Sequence, residues 1–371
     1  ITEKDVALQG NNLVVPSLFN VSVRSGDATI PGYGAGTLIP YSNQGSYNYF
    51  LNTRRASAYG TLGFGFKDWA FAEFTGRNDW DSRLIASNRS FFYPSANVSL
   101  VLSDAISSLK DGPILSFLKV RAAYSKSANV NVNPYALQAT YSQPAGFPFG
   151  SNVGFTAGQT IPSPNLKPET VISQEFGVEF GLFNGKVDLE ATYFDQQCND
   201  QILTTSLPQS TGYTFGLANA ASFNNHGLEL DLGIAPYQIG KGRISLKFNA
   251  TYNTNKVTAT PGSAPVIIAG ATNFVQISRN QPIANNVAAV GGPAYQFQLS
   301  DYARDPATGK VIVDLATGNP SASTDLVTMG RSLPLWIVGF TPKYEIGGFS
   351  VSMTWDYKTG HQFYSGLGSD M

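Results

Sequence analysis

The sequence predicts an all-β protein whose strands form an antiparallel transmembrane β-barrel. Three observations predict it. Apolar and polar residues alternate with period 2 in one segment after another. Several of these segments run to ten or more residues, against a usual five or six. The connections between them alternate between short and long, as in a meander with turns at one end and loops at the other.

Alternation places about ten strands, at roughly 50–66, 69–78, 91–105, 116–127, 170–181, 187–204, 225–236, 243–257, 335–345 and 348–358. In the fifth, Phe176, Val178 and Phe180 alternate with Glu175, Gly177 and Glu179. In the sixth, Val187, Leu189, Ala191 and Tyr193 alternate with Asp188, Glu190 and Thr192. The seventh sets Leu228, Leu230, Leu232 and Ile234 against Glu229, Asp231 and Gly233. Ile244 to Tyr252 and Val351 to Tyr357 repeat the pattern. Side chains two apart share a face, so each strand has one apolar and one polar side.

Short turns fall at Lys67-Asp68, Phe183 to Lys186, Tyr237 to Gly242 and Ile346 to Gly348. Long links fall at 79–90, 128–169, 205–224 and 258–334. The links at 128–169 and 258–334 are expected to be external loops, with short strands or a folded module at Val266–Ile268, Phe274–Ile277 and Val311–Val313. The 106–115 connection is expected to hold a short helix. Aromatic girdles are expected from Trp69, Phe183, Tyr237 and Tyr344 at the short-turn end. Tyr193, Phe194, Tyr252, Trp355 and Tyr357 would serve the other end.

Composition agrees with two-sided strands. Charged residues are 13% of the 371 and hydrophobic residues 42%, where an ordinary soluble domain carries about 25% charged. The net charge of -1 provides no basic footprint for nucleic acid. One Cys excludes an internal disulfide framework. No apolar run is long enough for a spanning helix.

The sequence contains no cofactor or nucleophile motif of the usual kinds, and no metal or cofactor is assigned. The two histidines, His226 and His361, are isolated, and Cys198 stands alone near a strand end. Paired carboxylates do occur on shared faces: Glu175 with Glu179, Asp188 with Glu190, and Glu229 with Asp231. Two such groups serve a glycosidase. The same pairs arise wherever a polar strand face lines a watery lumen, and these six are the candidate lumen-facing residues.

Several segments, in this order, resemble one family. They are Ala58 to Lys67 with Gly76-Arg77-Asn78-Asp79-Trp80, Phe91 to Ser95, and Leu118 to Tyr124. Pro164-Asn165-Leu166-Lys167-Pro168-Glu169 then leads into Glu175 to Glu179, followed by Asn225 to Leu230 and by Asp305 to Asp314. The chain resembles the barrel portion of SusC/RagA-type TonB-linked outer-membrane transporters. The resemblance implies a partial segment of a 22-stranded barrel in the Gram-negative outer membrane, without the N-terminal plug of the family. It implies import of oligosaccharides or oligopeptides, energised by TonB, ExbB and ExbD through that missing plug. A SusD-like surface lipoprotein would be the lid and outer-membrane lipid the surroundings. The motifs at Gly76 to Trp80 and Pro164 to Glu169 would be structural, closing a strand end and fixing a loop's re-entry. The ends of the chain read as an interior portion of a longer polypeptide. Two rivals stand beside this: a small passive porin or adhesin barrel, and a soluble β-rich glycan-binding or glycan-hydrolysing protein.

Overall fold

The structure is a computed structural model that describes residues 2–6, 49–110, 112–139, 141–142, 154–163, 165–261, 266–267 and 284–363. Twenty strands are assigned among them. β1 (Thr2–Val6) and β2 (Tyr49–Thr53) pair with each other. The next four are β3 (Arg55–Phe66), β4 (Ala70–Asp81), β5 (Ser90–Val101) and β6 (Leu115–Asn129). β7 (Tyr141–Ser142), β8 (Thr156–Ala157) and β9 (Thr160–Ile161) are two residues each. Then come β10 (Glu169–Leu182), β11 (Val187–Ser206), β12 (Phe215–Ile239) and β13 (Gly242–Ala259). A separate sheet holds β14 (Val266–Ile267), β15 (Ala284–Ala288), β16 (Gln296–Tyr302) and β17 (Ala322–Arg331). β18 (Trp336–Ile346), β19 (Phe349–Ser352) and β20 (Trp355–Thr359) complete the set.

The main sheet runs β3-β4-β5-β6-β10-β11-β12-β13-β18-β19, with β20 also on β18. Its long strands are neighbours in chain order and pair antiparallel. β19 and β20 lie along the same edge of β18, interrupted at Met353-Thr354, so they continue one strand. This matches the ten strands and the meander that alternation predicts. Within the described residues the sheet is open, with β3 at one edge and β19 and β20 at the other.

Residues directly opposite in an antiparallel pair share a face. The register therefore carries each strand's two sides across the whole sheet. Phe74 faces Leu62 and Ala96, Tyr193 faces Phe176 and Leu228, and Phe248 faces Leu232 and Phe340. This face keeps large apolar groups exposed: Leu62 at 65%, Phe176 at 55% and Tyr357 at 62%. An apolar surface of that extent does not persist in water, and it is what a lipid-facing barrel wall presents.

Several boundaries differ from expectation. The 50–66 strand breaks at Arg54, whose backbone N–H and C=O both bond to Ser82 (2.9 Å each). The end of the expected 91–105 strand is instead a helical turn, α1 (Leu102–Ala105), closed by Ile106 N–H on Leu102 C=O (2.9 Å). Much of the expected 205–224 link is strand. β12 begins at Phe215 and pairs back onto β11 as far as Ser206. Gly216, Ala218, Ala220 and Ala221 are too small to show alternation, and a bulge around Asp200 (φ 57°) shifts the register. The Tyr237–Gly242 turn shrinks to Gly240-Lys241, since Ile239 and Gly242 pair directly. Phe194 lies on the polar face opposite Glu175, so it is not a girdle residue, and Trp355 sits mid-strand opposite Phe340.

At about 3.3 Å per residue the 25 residues of β12 extend roughly 80 Å. The hydrocarbon layer is about 30 Å thick. The long-loop ends of β11 and β12 therefore stand clear of the bilayer. There they enclose a small core of Leu84, Val130, Val132, Leu166 and Ile202. Of the expected short strands in 258–334, Val266-Ile267 belongs to β14, and Val311 and Val313 form isolated bridges to Arg304 and Pro320. Ile268 and Phe274 to Ile277 lie outside the described residues.

Candidate functional site

The polar face of β10, β11 and β12 contains all six lumen-facing candidates. Glu179 pairs with Glu190, and Glu190 pairs with Asp231, so three carboxylates form one row across three strands. Glu229 stands opposite Thr192, and Asp188 stands between Gly181 and Gly233. Glu175 is opposite Ala123 and Phe194.

Like charges directly opposite on a sheet repel. Two cations from β6 answer this. Lys119 is the cross-strand partner of Glu179 and its Nζ donates to Glu179 Oε1 at 2.9 Å. Arg121 reaches further. It is opposite Gly177 on β10, yet its Nη2 donates to Glu190 Oε1 (2.5 Å) and Thr192 Oγ1 (2.6 Å) on β11. Its Nε also lies 3.8 Å from Glu179 Oε1. The guanidinium crosses a whole strand because Gly177 has no side chain. A Cβ there would come within 2.8 Å of Arg121 Cγ and nearer still to Nε.

Among the described residues, Glu175 accepts from the Ser173 hydroxyl (3.2 Å). Asp188, Glu229 and Asp231 form no ion pair among the described residues. Hollows open on this face among the described residues. One, of about 340 Å³, lies beside Asp231, Lys247, Asn249 and Thr341. Another, of about 220 Å³, lies beside Asn97, Ser99, Lys119, Arg121, Glu175 and Thr192. Lys119, Arg121 and Gly177 were not among the sequence candidates. The signal was present, since Lys119 and Arg121 alternate with Leu118 and Val120.

The two sequence motifs converge at the long-loop end. Asp79 is fully buried and accepts from Arg77 Nε (2.8 Å) and Arg55 Nε (3.0 Å). Arg77 also donates to the Tyr93 hydroxyl (2.7 Å) and to Ser57 Oγ (2.9 Å). Gly76 lies under the Phe92 ring, Asn78 donates to Ser90 Oγ (3.1 Å), and Trp80 is 41% exposed. Pro164 lies outside the described residues. Asn165 and Leu166 carbonyls accept from Asn88 Nδ2 (3.2 and 2.9 Å), and the Leu166 side chain is fully buried. Asn219 holds both backbone groups of Lys167 (2.8 and 2.9 Å). Past Pro168, Glu169 Oε1 accepts from Ile202 N–H (2.9 Å) at the bulge.

No group of three or more His, Cys, Asp and Glu that could hold a metal ion occurs among the described residues. Cys198 is a buried thiol, and among the described residues no helix is long and apolar enough to cross a membrane, which says nothing of strands.

Comparison with known proteins accounts for this architecture. The TonB-dependent receptor P26 of Formosa agariphila is 26% identical over 321 residues, covering 84% of this chain and 32% of that protein. The TonB-dependent receptor SusC of Bacteroides thetaiotaomicron is 25% identical over 222 residues, covering 58% of this chain and 22% of that one. The chain thus spans about a third or less of the curated relatives it matches. Among solved structures, the RagAB peptide importer in its closed-closed state superposes with a TM-score of 0.69 at 21% identity. That match covers 84% of this chain and 34% of the other, and it carries the fold alone. The profile of one family matches residues 8–363. That places the chain in the Gram-negative outer membrane and sets aside the hydrolase reading of the paired carboxylates. The chain belongs to the family described as TonB dependent receptor-like, beta-barrel.

Proposed function

We propose that this chain forms part of the wall of an outer-membrane importer for oligosaccharides or oligopeptides. One observation carries the proposal: a continuous apolar face backs a continuous polar face over nine long strands and the interrupted β19-β20 edge. The apolar face meets lipid, and the polar face lines the lumen. Glu175, Glu179, Asp188, Glu190, Glu229 and Asp231 then solvate the passage and do no covalent chemistry. Import is energised by TonB with ExbB and ExbD, acting through a plug carried elsewhere in the polypeptide, and a SusD-like lipoprotein closes the outer mouth. The motifs at Gly76 to Trp80 and Asn165 to Glu169 hold the strand ends and touch no cargo.

The oligomeric cargo follows from the resemblance of the sequence motifs to the SusC/RagA type, and the likeness to the peptide importer supports the barrel fold. The experiment is a pull-down from outer membranes with the whole polypeptide as bait, followed by uptake assays with and without TonB. A co-purifying surface lipoprotein and TonB-dependent accumulation are expected. Accumulation that is equal without TonB would overturn the import mechanism in favour of a passive pore.

A further inference from the structure

We propose that the apolar face of β12 and β13, just past its last apolar row, binds the phosphorylated headgroup of a membrane lipid through His226, Lys256 and Arg331. The proposal rests on the reading that this face meets lipid, and it adds a binding site to that reading.

The register sorts the charges. Lys119, Arg121, Lys247, Lys343 and the six carboxylates of β10 to β12 all fall on the polar face. Towards the long-loop end the apolar face changes character. On β12, Leu228 gives way to His226 and Asn224, and on β13, Tyr252 gives way to Thr254 and Lys256. His226 pairs with Thr254, and Asn224 pairs with Lys256. Arg331, the last residue of β17, joins them, and its Nη2 donates to Thr254 Oγ1 at 3.4 Å. Cross-strand partners and same-face residues two apart lie within about 7 Å of each other. Three basic side chains therefore gather around Thr254.

The height is that of a headgroup. On this face of β13 the apolar run extends from Ile244 to Tyr252. At about 3.3 Å per residue and a tilt of about 40°, that run rises roughly 20 Å, and Lys256 lies roughly 30 Å above Ile244. The apolar band of such a barrel is about 25 Å tall. Tyr252 and Trp336, with ring centroids 4.9 Å apart, mark the boundary beneath the cluster.

Charge decides what binds. On the polar face, Lys119 pairs with Glu179, Arg121 with Glu190 and Lys343 with Glu345. Among the described residues, His226, Lys256 and Arg331 form no ion pair. Asp195 is the acid that faces them, opposite His226, and two fixed cations outweigh it. Cations at a lipid boundary need a counter-ion, and a lipid phosphate supplies it. The Arg331 fork and the Lys256 ammonium are strong phosphate donors. Thr254 accepts from Arg331, so its own hydroxyl hydrogen can turn to a phosphate oxygen. A headgroup amine would be repelled.

The test uses the whole receptor purified in detergent, with bound lipid read by native mass spectrometry. The probes are diphosphorylated lipid A, the same lipid with its phosphates removed, and inorganic phosphate. The variants are Lys256→Gln combined with Arg331→Gln, and Lys343→Gln as a charge control on the polar face. Heat-modifiable migration establishes that each folds. Wild type and K343Q are expected to hold the diphosphorylated lipid at least about tenfold more tightly than the double variant. The dephosphorylated lipid should bind weakly and equally to all three. Equal retention of the diphosphorylated lipid by wild type and double variant would overturn the site. Equal binding of the two lipids by the wild type would overturn it too, since acyl chains alone would account for both. Displacement of the lipid by millimolar inorganic phosphate would reassign the cluster to a soluble anion and overturn the lipid. Each of these results leaves the lipid-facing wall standing. A receptor that binds neither lipid and stays in solution without detergent would overturn that reading as well.

Discussion

At the level of single residues, the polar wall depends on a missing side chain. Arg121 can neutralise Glu190 only by lying across Gly177. Gly177→Ala puts a methyl where Cγ and Nε now rest, and overpacking of this kind costs about 1–3 kcal/mol. The predicted result is a lower urea midpoint for G177A in detergent or vesicles, largely reversed when Arg121 is also truncated to Ala. The sequence showed the carboxylates of this wall, because charged and apolar residues alternate visibly along β10 to β12. It hid the role of Gly177, because a glycine in a strand reads as weak pattern until its cross-strand partner is known. Asp79 is a similar case. Its sequence neighbours announce a motif, but two arginines from two strands, Arg55 and Arg77, surround its buried carboxylate.

At the level of elements, the long-loop end is stapled by side chains that join distant loops. Leu166 fills the small core, and Asn88 and Asn219 tie its neighbours to the 81–90 turn and to β12. Truncation by Leu166→Ala is expected to cost about 2–5 kcal/mol. Limited proteolysis should then cut within 130–168 at denaturant concentrations the wild type resists. A second element is repeated in the sequence. Asp305-Pro-Ala-Thr-Gly and Asp314-Leu-Ala-Thr-Gly each close a turn in which the Asp carboxylate accepts from residues two and three ahead. Gly309 and Gly318 take the required positive φ, 69° and 70°. The Thr308 hydroxyl and N–H hold Asp305 below its ordinary carboxylate value. For Asp314 the Thr317 N–H leads, and the hydroxyl adds to it. A depressed folded value stabilises the turns above the unfolded value of 3.8, and the stabilisation is lost as pH falls through the lower folded value. Hydrogen-exchange protection of 303–321, corrected for intrinsic rates, should therefore be level from about pH 7 to pH 5 and fall below about pH 4. A decline already complete at pH 5 would contradict this account. Turn chemistry was legible here because it is local. The extra length of β11 and β12 was not, because alanines and glycines do not mark a face and only pairing reveals the strand.

At the level of the whole molecule, each strand taken alone is ambiguous between a soluble sheet and a membrane wall. The register removes the ambiguity, because it aligns Phe176 with Tyr193 and Leu228 on one side and Glu179 with Glu190 and Asp231 on the other. The ten-strand meander was readable from period and loop length. The two open edges gain meaning beside relatives about three times as long. The central claim is that the apolar side meets lipid and the polar side meets water. Spin labels placed singly at 175 to 180 in the whole receptor in vesicles, with native cysteines replaced, test it directly. The prediction is a strict period of two in collision with oxygen and with a water-soluble nickel chelate. Positions 176, 178 and 180 should favour oxygen, and 175, 177 and 179 should favour the chelate. Loss of the alternation, or the opposite phase, would contradict the account.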